Sequence, residues 1–342
     1  MSKNLIISKE NLRAGLDKAL SDYQVAALTQ KIDGRFVYDY VKKSSEVTFE
    51  YKPTVLSPKK FFFPQDEAIL EYTSDGQVKA KIEAKPLVLF GLRPCDLNGL
   101  KVLNEAFADD NGDPNYLAKL EKSVVIGIDC KKICDKHAFC FKVDCHNAKG
   151  AYDIMMYDLG NDKYLIETAN SKGEGFVAKY FATQDAVGTE RAEFQKEKDA
   201  GFAGQNKFKD LEKFPELFEN NKKHPIWDQE GSRCLSCGSC IMVCPTCYCF
   251  DVEDDLALNL KEGKRVRKWD ACMLHDFSKV AGGEVFRHSA TARLHHRINR
   301  KFDYLMKKHD QSVCVGCGRC VRACLVEISP KTIAEAINGE TK

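Results

Sequence analysis

The runs CLSCGSCIMVCP (234–245) and CVGCGRCVRAC (314–324) decide how this chain is built. Each has the spacing Cys-x2-Cys-x2-Cys-x3-Cys, with Cys234, Cys237, Cys240 and Cys244 in the first and Cys314, Cys317, Cys320 and Cys324 in the second. Three thiolates this close wrap one cubane from a single tight loop, while the fourth, a helical turn further on, points away and ligates the other cluster. The expected ligation is therefore crossed. Cys234, Cys237, Cys240 and Cys324 hold one [4Fe-4S] cluster, and Cys314, Cys317, Cys320 and Cys244 hold the second. Gly238 and Gly318 suit the close backbone approach and unusual φ of such loops, and let amide N–H groups point at sulfide. Zinc fits poorly, because structural zinc is closed by paired CxxC knuckles around one tetrahedral site, not by two four-cysteine runs. Leu325 stands where proline usually follows the fourth cysteine, which alters the turn but not the ligands.

Between the two runs, CPTCYCFD (244–251) and the stretch 267–287 add Cys247, Cys249 and Cys272. Two readings stand: a further cluster or ligand swap, or thiols packed beside the clusters whose S–H donors tune potential without binding iron. The stretch 287–301 is basic at helical spacing, with Arg293, Arg297, Arg300 and Lys301 near one face. It reads either as a solvated helix face or as a dock for an acidic partner.

Of the sixteen cysteines, five precede Cys234 and eleven follow from it, an asymmetry that marks two domains. The polar stretch 183–223 looks like exposed helix or linker, so the expected division is 1–223 and 224–342. A reducing compartment keeps so many cysteines as thiols and leaves metal ligation as their use. The start MSKNLIISKENLRAG lacks the pattern of a secretory signal, and no stretch approaches the ~20 apolar residues of a spanning helix. A cytoplasmic, non-membrane protein is expected. The net charge of +2 carries no polyelectrolyte signature, so nucleic acid is not an expected partner. No GxGxxG after a strand, no P-loop and no nucleophile elbow is present, so nucleotide binding by this chain is unsupported.

In the first half, KPLVLFGL (85–92) is a buried-strand run followed by a helical pattern with Leu97, Leu100, Leu103 and Phe107. A second helix, PNYLAKLEK (114–122), leads to a second strand run, SVVIGID (123–129). The β-α-β order predicts parallel strands joined by a right-handed crossover. Runs at 77–84, 152–158 and 164–168 read as added strands. The fold class is therefore α+β: an N-terminal α/β sheet domain followed by an α-helical dicluster ferredoxin-like domain. Cys95 and Cys130 each follow one of the parallel strands and share its carboxyl edge, where α/β ligand sites form. With Cys140 and either Cys134 or Cys145 they would suffice for a third cluster. The alternatives are buried free thiols or a small zinc site with His137 or His146.

The segments 91–100, 127–140, 224–251, 269–287 and 314–324 together resemble the A subunit of anaerobic sulfite reductase and the β subunit of cytoplasmic sulfhydrogenases and related nickel–iron hydrogenase complexes. Members usually carry a CFC trio where this chain has Ala138-Phe139-Cys140, which leaves the fourth ligand of a third cluster open. The resemblance implies a non-catalytic electron-transfer subunit. A flavin (FAD) subunit takes hydride from NAD(P)H, and this chain passes single electrons to a sirohaem or nickel–iron catalytic subunit, or the reverse. Two readings from other classes are a free-standing iron–sulfur redox sensor, and a thiol or disulfide reductase with its own site near Cys95 and Cys130.

Overall fold

A computed structural model describes residues 4–309 and 311–340. In chain order the strands are β1 (Leu5–Ser8), β2 (Gln24–Gln30), β3 (Phe36–Val41), β4 (Asp66–Thr73), β5 (Val78–Ala80), β6 (Leu87–Leu92), β7 (Ser123–Ile128), β8 (Ile154–Gly160), β9 (Lys163–Thr168), β10 (Gln184–Asp185), β11 (Phe250–Leu256) and β12 (Glu262–Trp269). The chain forms two compact units, each discontinuous in sequence. The first comprises Met1–Phe62, Glu83–Lys136 and Cys145–Gln205; the second comprises Phe63–Ile82, His137–Asp144 and Asn206–Lys342.

The first unit is a mixed eight-stranded sheet in the order β10-β1-β9-β8-β7-β6-β2-β3. Its centre is parallel, through β2–β6, β6–β7 and β7–β8. Every residue of β6 and β7 is buried, the behaviour of parallel strands covered on both faces. Their pairing begins Leu87↔Ser123 and shifts between Phe90 and Leu92, around Gly91 at φ +82°. The helix Pro94–Ala108 starts directly after β6, with proline in its first turn, where the missing N–H is harmless. The helix Pro114–Glu121 is capped by Asp113, whose Oδ1 accepts the Tyr116 N–H at 2.7 Å. Val88, Phe90, Val124, Ile126, Ile154 and Ile166 lead the core.

The second unit combines short helices with a four-stranded antiparallel sheet in the order β11-β12-β4-β5. Its core packs Phe302 against Phe214 (5.7 Å between ring centroids) and Phe218 (5.3 Å). The α+β class is borne out, but this sheet departs from the sequence reading in two respects. The 77–84 run does not extend the large sheet: its strand β5 pairs with β4 in the second unit. The hairpin β11–β12 was not expected at all, because β11, FDVEDDL, is exposed along its whole length and its acidic residues mask the period-two pattern.

Candidate metal centre

Both cysteine loops are built alike. In each, a left-handed glycine, Gly238 at φ +75° or Gly318 at φ +72°, precedes a four-residue helix, Ser239–Met242 or Arg319–Arg322, that carries the third cysteine. The reason for glycine is also steric. A Cβ on Gly238 would lie 2.9 Å from the Ala271 methyl, and one on Gly318 only 2.6 Å from the His137 backbone. At Gly316 it would meet the Cys140 backbone at 2.6 Å, where Phe139 N donates to Gly316 O at 2.7 Å. The segment 137–140 is thus a floor under the second loop.

Cys234, Cys237 and Cys240 line one cavity together with Cys324, the last cysteine of the other run. Met273, Leu294, Leu325 and Ile328 supply apolar walls, and Leu325, 85% exposed, stands at the rim. Cys244 is not among the residues that line it. Cys314 and Cys317 each face both Cys244 and Cys320. Burial pushes the Cys240 thiol up to about 12, opposed by Arg297, and the Cys317 thiol up to about 11, opposed by Arg319. Amides also reach sulfur: Ser236 N donates to Cys234 Sγ and Ile328 N to Cys324 Sγ, each at 3.4 Å.

The remaining thiols of the insert lie close by. Cys247 hydrogen-bonds Cys244, whose pKa is lowered by that bond, by Lys301 and by Thr246. Cys249 and Cys272 form a hydrogen-bonded pair at the base of the β11–β12 hairpin, and the bond from Cys272 brings Cys249 down to about 6. Among the described residues no three His, Cys, Asp or Glu side chains converge as ligands of a single metal ion.

The basic stretch 287–301 corrects the sequence reading. The helix Ala290–Asn299 continues into a π-helical turn, Arg300–Tyr304, and Arg293, Arg297 and Lys301 are only 5%, 3% and 5% exposed. These three face inward and form neither a solvated face nor a dock, while Arg300, half-buried, donates to Tyr248 Oη at 3.0 Å. Arg293 donates to Ser236 Oγ in the first cysteine loop at 2.9 Å. Lys301 Nζ donates to Thr246 Oγ1 at 2.6 Å, and that oxygen lies 3.3 Å from Cys244 Sγ. Arg319, buried beside Cys317, is a further cation that the sequence reading did not single out. Spacing showed the stripe, but only packing shows where it points.

In the first unit, Cys95 follows β6 and Cys130 follows β7, so both sit at one sheet edge. Asn98, from the same helix as Cys95, donates to the Cys145 carbonyl at 3.2 Å, and Cys130 faces Cys134. Burial pushes the Cys130 thiol up to about 12. Beside it Lys198 holds both Asp129 oxygens, at 2.7 and 2.8 Å. Cys140 belongs to the second unit.

A [4Fe-4S] cluster suits the donor set of the two loops. The ligand candidates are all thiols, the cavity has an apolar wall, backbone N–H groups meet sulfur, and buried cations stand ready to offset thiolate charge. Residues 233–328 match a family described as 4Fe-4S dicluster domain. Over that segment, which holds both cysteine loops, the chain is similar to iron–sulfur proteins. Over 307 residues, 88% of this chain and 88% of the relative, it is 29% identical to sulfhydrogenase 2 subunit beta of Pyrococcus furiosus. The resemblance to sulfhydrogenase β subunits read from the motifs is thereby borne out. No helix of the described residues is long and apolar enough to cross a membrane.

Proposed function

We propose that this chain is the electron-relay subunit of a cytoplasmic oxidoreductase complex. One [4Fe-4S] cluster is held by Cys234, Cys237, Cys240 and Cys324, and the other by Cys314, Cys317, Cys320 and Cys244. Such clusters exchange single electrons, whereas a flavin can split a hydride pair. The partners are accordingly a flavin subunit that takes hydride from NAD(P)H and a catalytic subunit of sirohaem or nickel–iron type. No residue of this chain is asked to act as acid, base or nucleophile.

The observation that carries the reading is the cavity shared by three cysteines of the first run and the fourth of the second. The placement of Cys244 among Cys314, Cys317 and Cys320 supports the other half. Cys247, hydrogen-bonded to Cys244, acts as an outer S–H donor rather than as a ligand. The third cluster expected in the sequence from Cys95, Cys130, Cys140 and Cys134 or Cys145 is decided by iron content. Anaerobic purification with iron and sulfide counting and electron paramagnetic resonance tests both points. About eight irons mean two cubanes and about twelve mean three, whereas colourless or zinc-only protein sinks the reading.

A further inference from the structure

Resting on the two-cluster reading above, we propose that Arg297 and Lys301 set the reduction potentials of the two clusters as fixed positive charges buried between the thiolate quartets. The starting observation is an unbalanced pair of cations. Both side chains are almost fully buried. Among the described residues the Arg297 guanidinium has no carboxylate partner, and its Nε has no hydrogen-bond acceptor. A cation taken out of water without an anion is strongly disfavoured. The sequence nevertheless places two of them one helical turn apart, at positions i and i+4 of a single face.

Their surroundings name the missing anion. Arg297 faces Cys240 and Cys320, one thiol from each quartet, together with Cys247 and Cys244. Lys301 faces Cys244, Cys247 and Cys314, and so leans on the second quartet. Geometry places them the same way: Arg297 lines the cavity of the first quartet, and the Thr246 hydroxyl that Lys301 holds lies 3.3 Å from Cys244 Sγ. Lys301 is also pinned, with Nζ on Thr246 Oγ1 at 2.6 Å. Asp303, the acid on the adjoining π-turn, pairs with Lys307 at 2.8 Å. A π-helical turn at a functional site is a recurrent way to re-aim side chains, and here it follows directly on Arg297 and contains Lys301.

Adding an electron to a thiolate-ligated cluster adds a negative charge, and nearby positive charge stabilises the reduced form more than the oxidised form. Arg297 therefore raises both potentials, while Lys301 raises chiefly that of the Cys314, Cys317, Cys320 and Cys244 cluster. A purely structural role would make a different prediction, since it would depend on shape and hydrogen bonding and not on charge.

The test uses the full chain purified anaerobically, with iron counted and each cluster followed by electron paramagnetic resonance during a redox titration. In Arg297→Gln the ratio of reduced to oxidised cluster at fixed ambient potential falls at least tenfold for both clusters, equivalent to 59 mV for a one-electron couple. In Lys301→Met the fall is confined mainly to the second cluster. Arg297→Lys and Lys301→Arg keep the charge and stay within about threefold of the parent. If Arg297→Gln does not retain iron, Lys301→Met against Lys301→Arg decides the matter on the second cluster alone. Iron-replete neutral variants with unchanged potentials would overturn the inference, as would equal shifts in the neutral and charge-keeping variants. Parent protein without iron would instead overturn the two-cluster reading beneath it.

Discussion

Cys324 distinguishes crossed from uncrossed ligation more directly than any other residue. If it completes the first quartet, Cys324→Ala abolishes the same paramagnetic signal as Cys240→Ala, and the signal lost in Cys320→Ala survives. Uncrossed ligation would pair Cys324→Ala with Cys320→Ala instead. Gly318 gives a second expectation at this scale. Its φ of +72° and the 2.6 Å approach of a Cβ to the His137 backbone both penalise a side chain. Gly318→Ala should lose about 1–3 kcal/mol of stability from strain alone, read as a lowered denaturation midpoint. The control is Gly175, helical and with open space where a Cβ would go. There alanine should stabilise by about 0.5–1 kcal/mol, and a loss at Gly175 would discredit the steric account.

Within one strand, β12, two arginines make opposite energetic cases. Arg267 is 2% exposed, donates to Glu67 Oε2 of β4 at 2.6 Å and lies over the Phe63 ring at 5.2 Å. Removing one partner of a buried pair strands the other charge, so Arg267→Ala should cost about 3–5 kcal/mol. Arg265, two residues earlier, pairs with Asp254 across the hairpin, and both side chains are exposed. Arg265→Ala should leave the urea midpoint unchanged, because exposed pairs are screened and cost side-chain entropy to hold. A similar loss in both variants would mean that the sheet is stabilised by charge pairing in general and not by burial.

At the scale of the whole molecule, the proposed clusters would couple iron to fold. Removing the clusters leaves eight candidate thiol ligands and at least two buried cations, Arg297 and Lys301, without their counter-charge. Cluster binding to the folded chain alone adds its binding free energy to stability. Anaerobic holoprotein should therefore melt at a clearly higher temperature than protein stripped by chelator and oxidant. Calorimetry of the two forms checks this, and coincident transitions would show that the loops fold without their cargo.

Local chemistry was legible in the sequence. The two cysteine runs point to cluster ligation through spacing alone, because three thiolates in one tight loop suit a cubane. The runs at 85–92 and 123–129 announced parallel strands, because strands buried on both faces have no polar side to show. Direction was not legible. The stripe of Arg293, Arg297 and Lys301 looks the same in sequence whether it meets water or thiols. The strand at 78–80 has the same composition whichever sheet receives it, and the acidic β11 conceals its pairing because neither face is covered. Periodicity specifies which residues share a face, and only tertiary packing decides what that face meets. Here packing turned a basic helix inward, onto the cysteine loops and away from water.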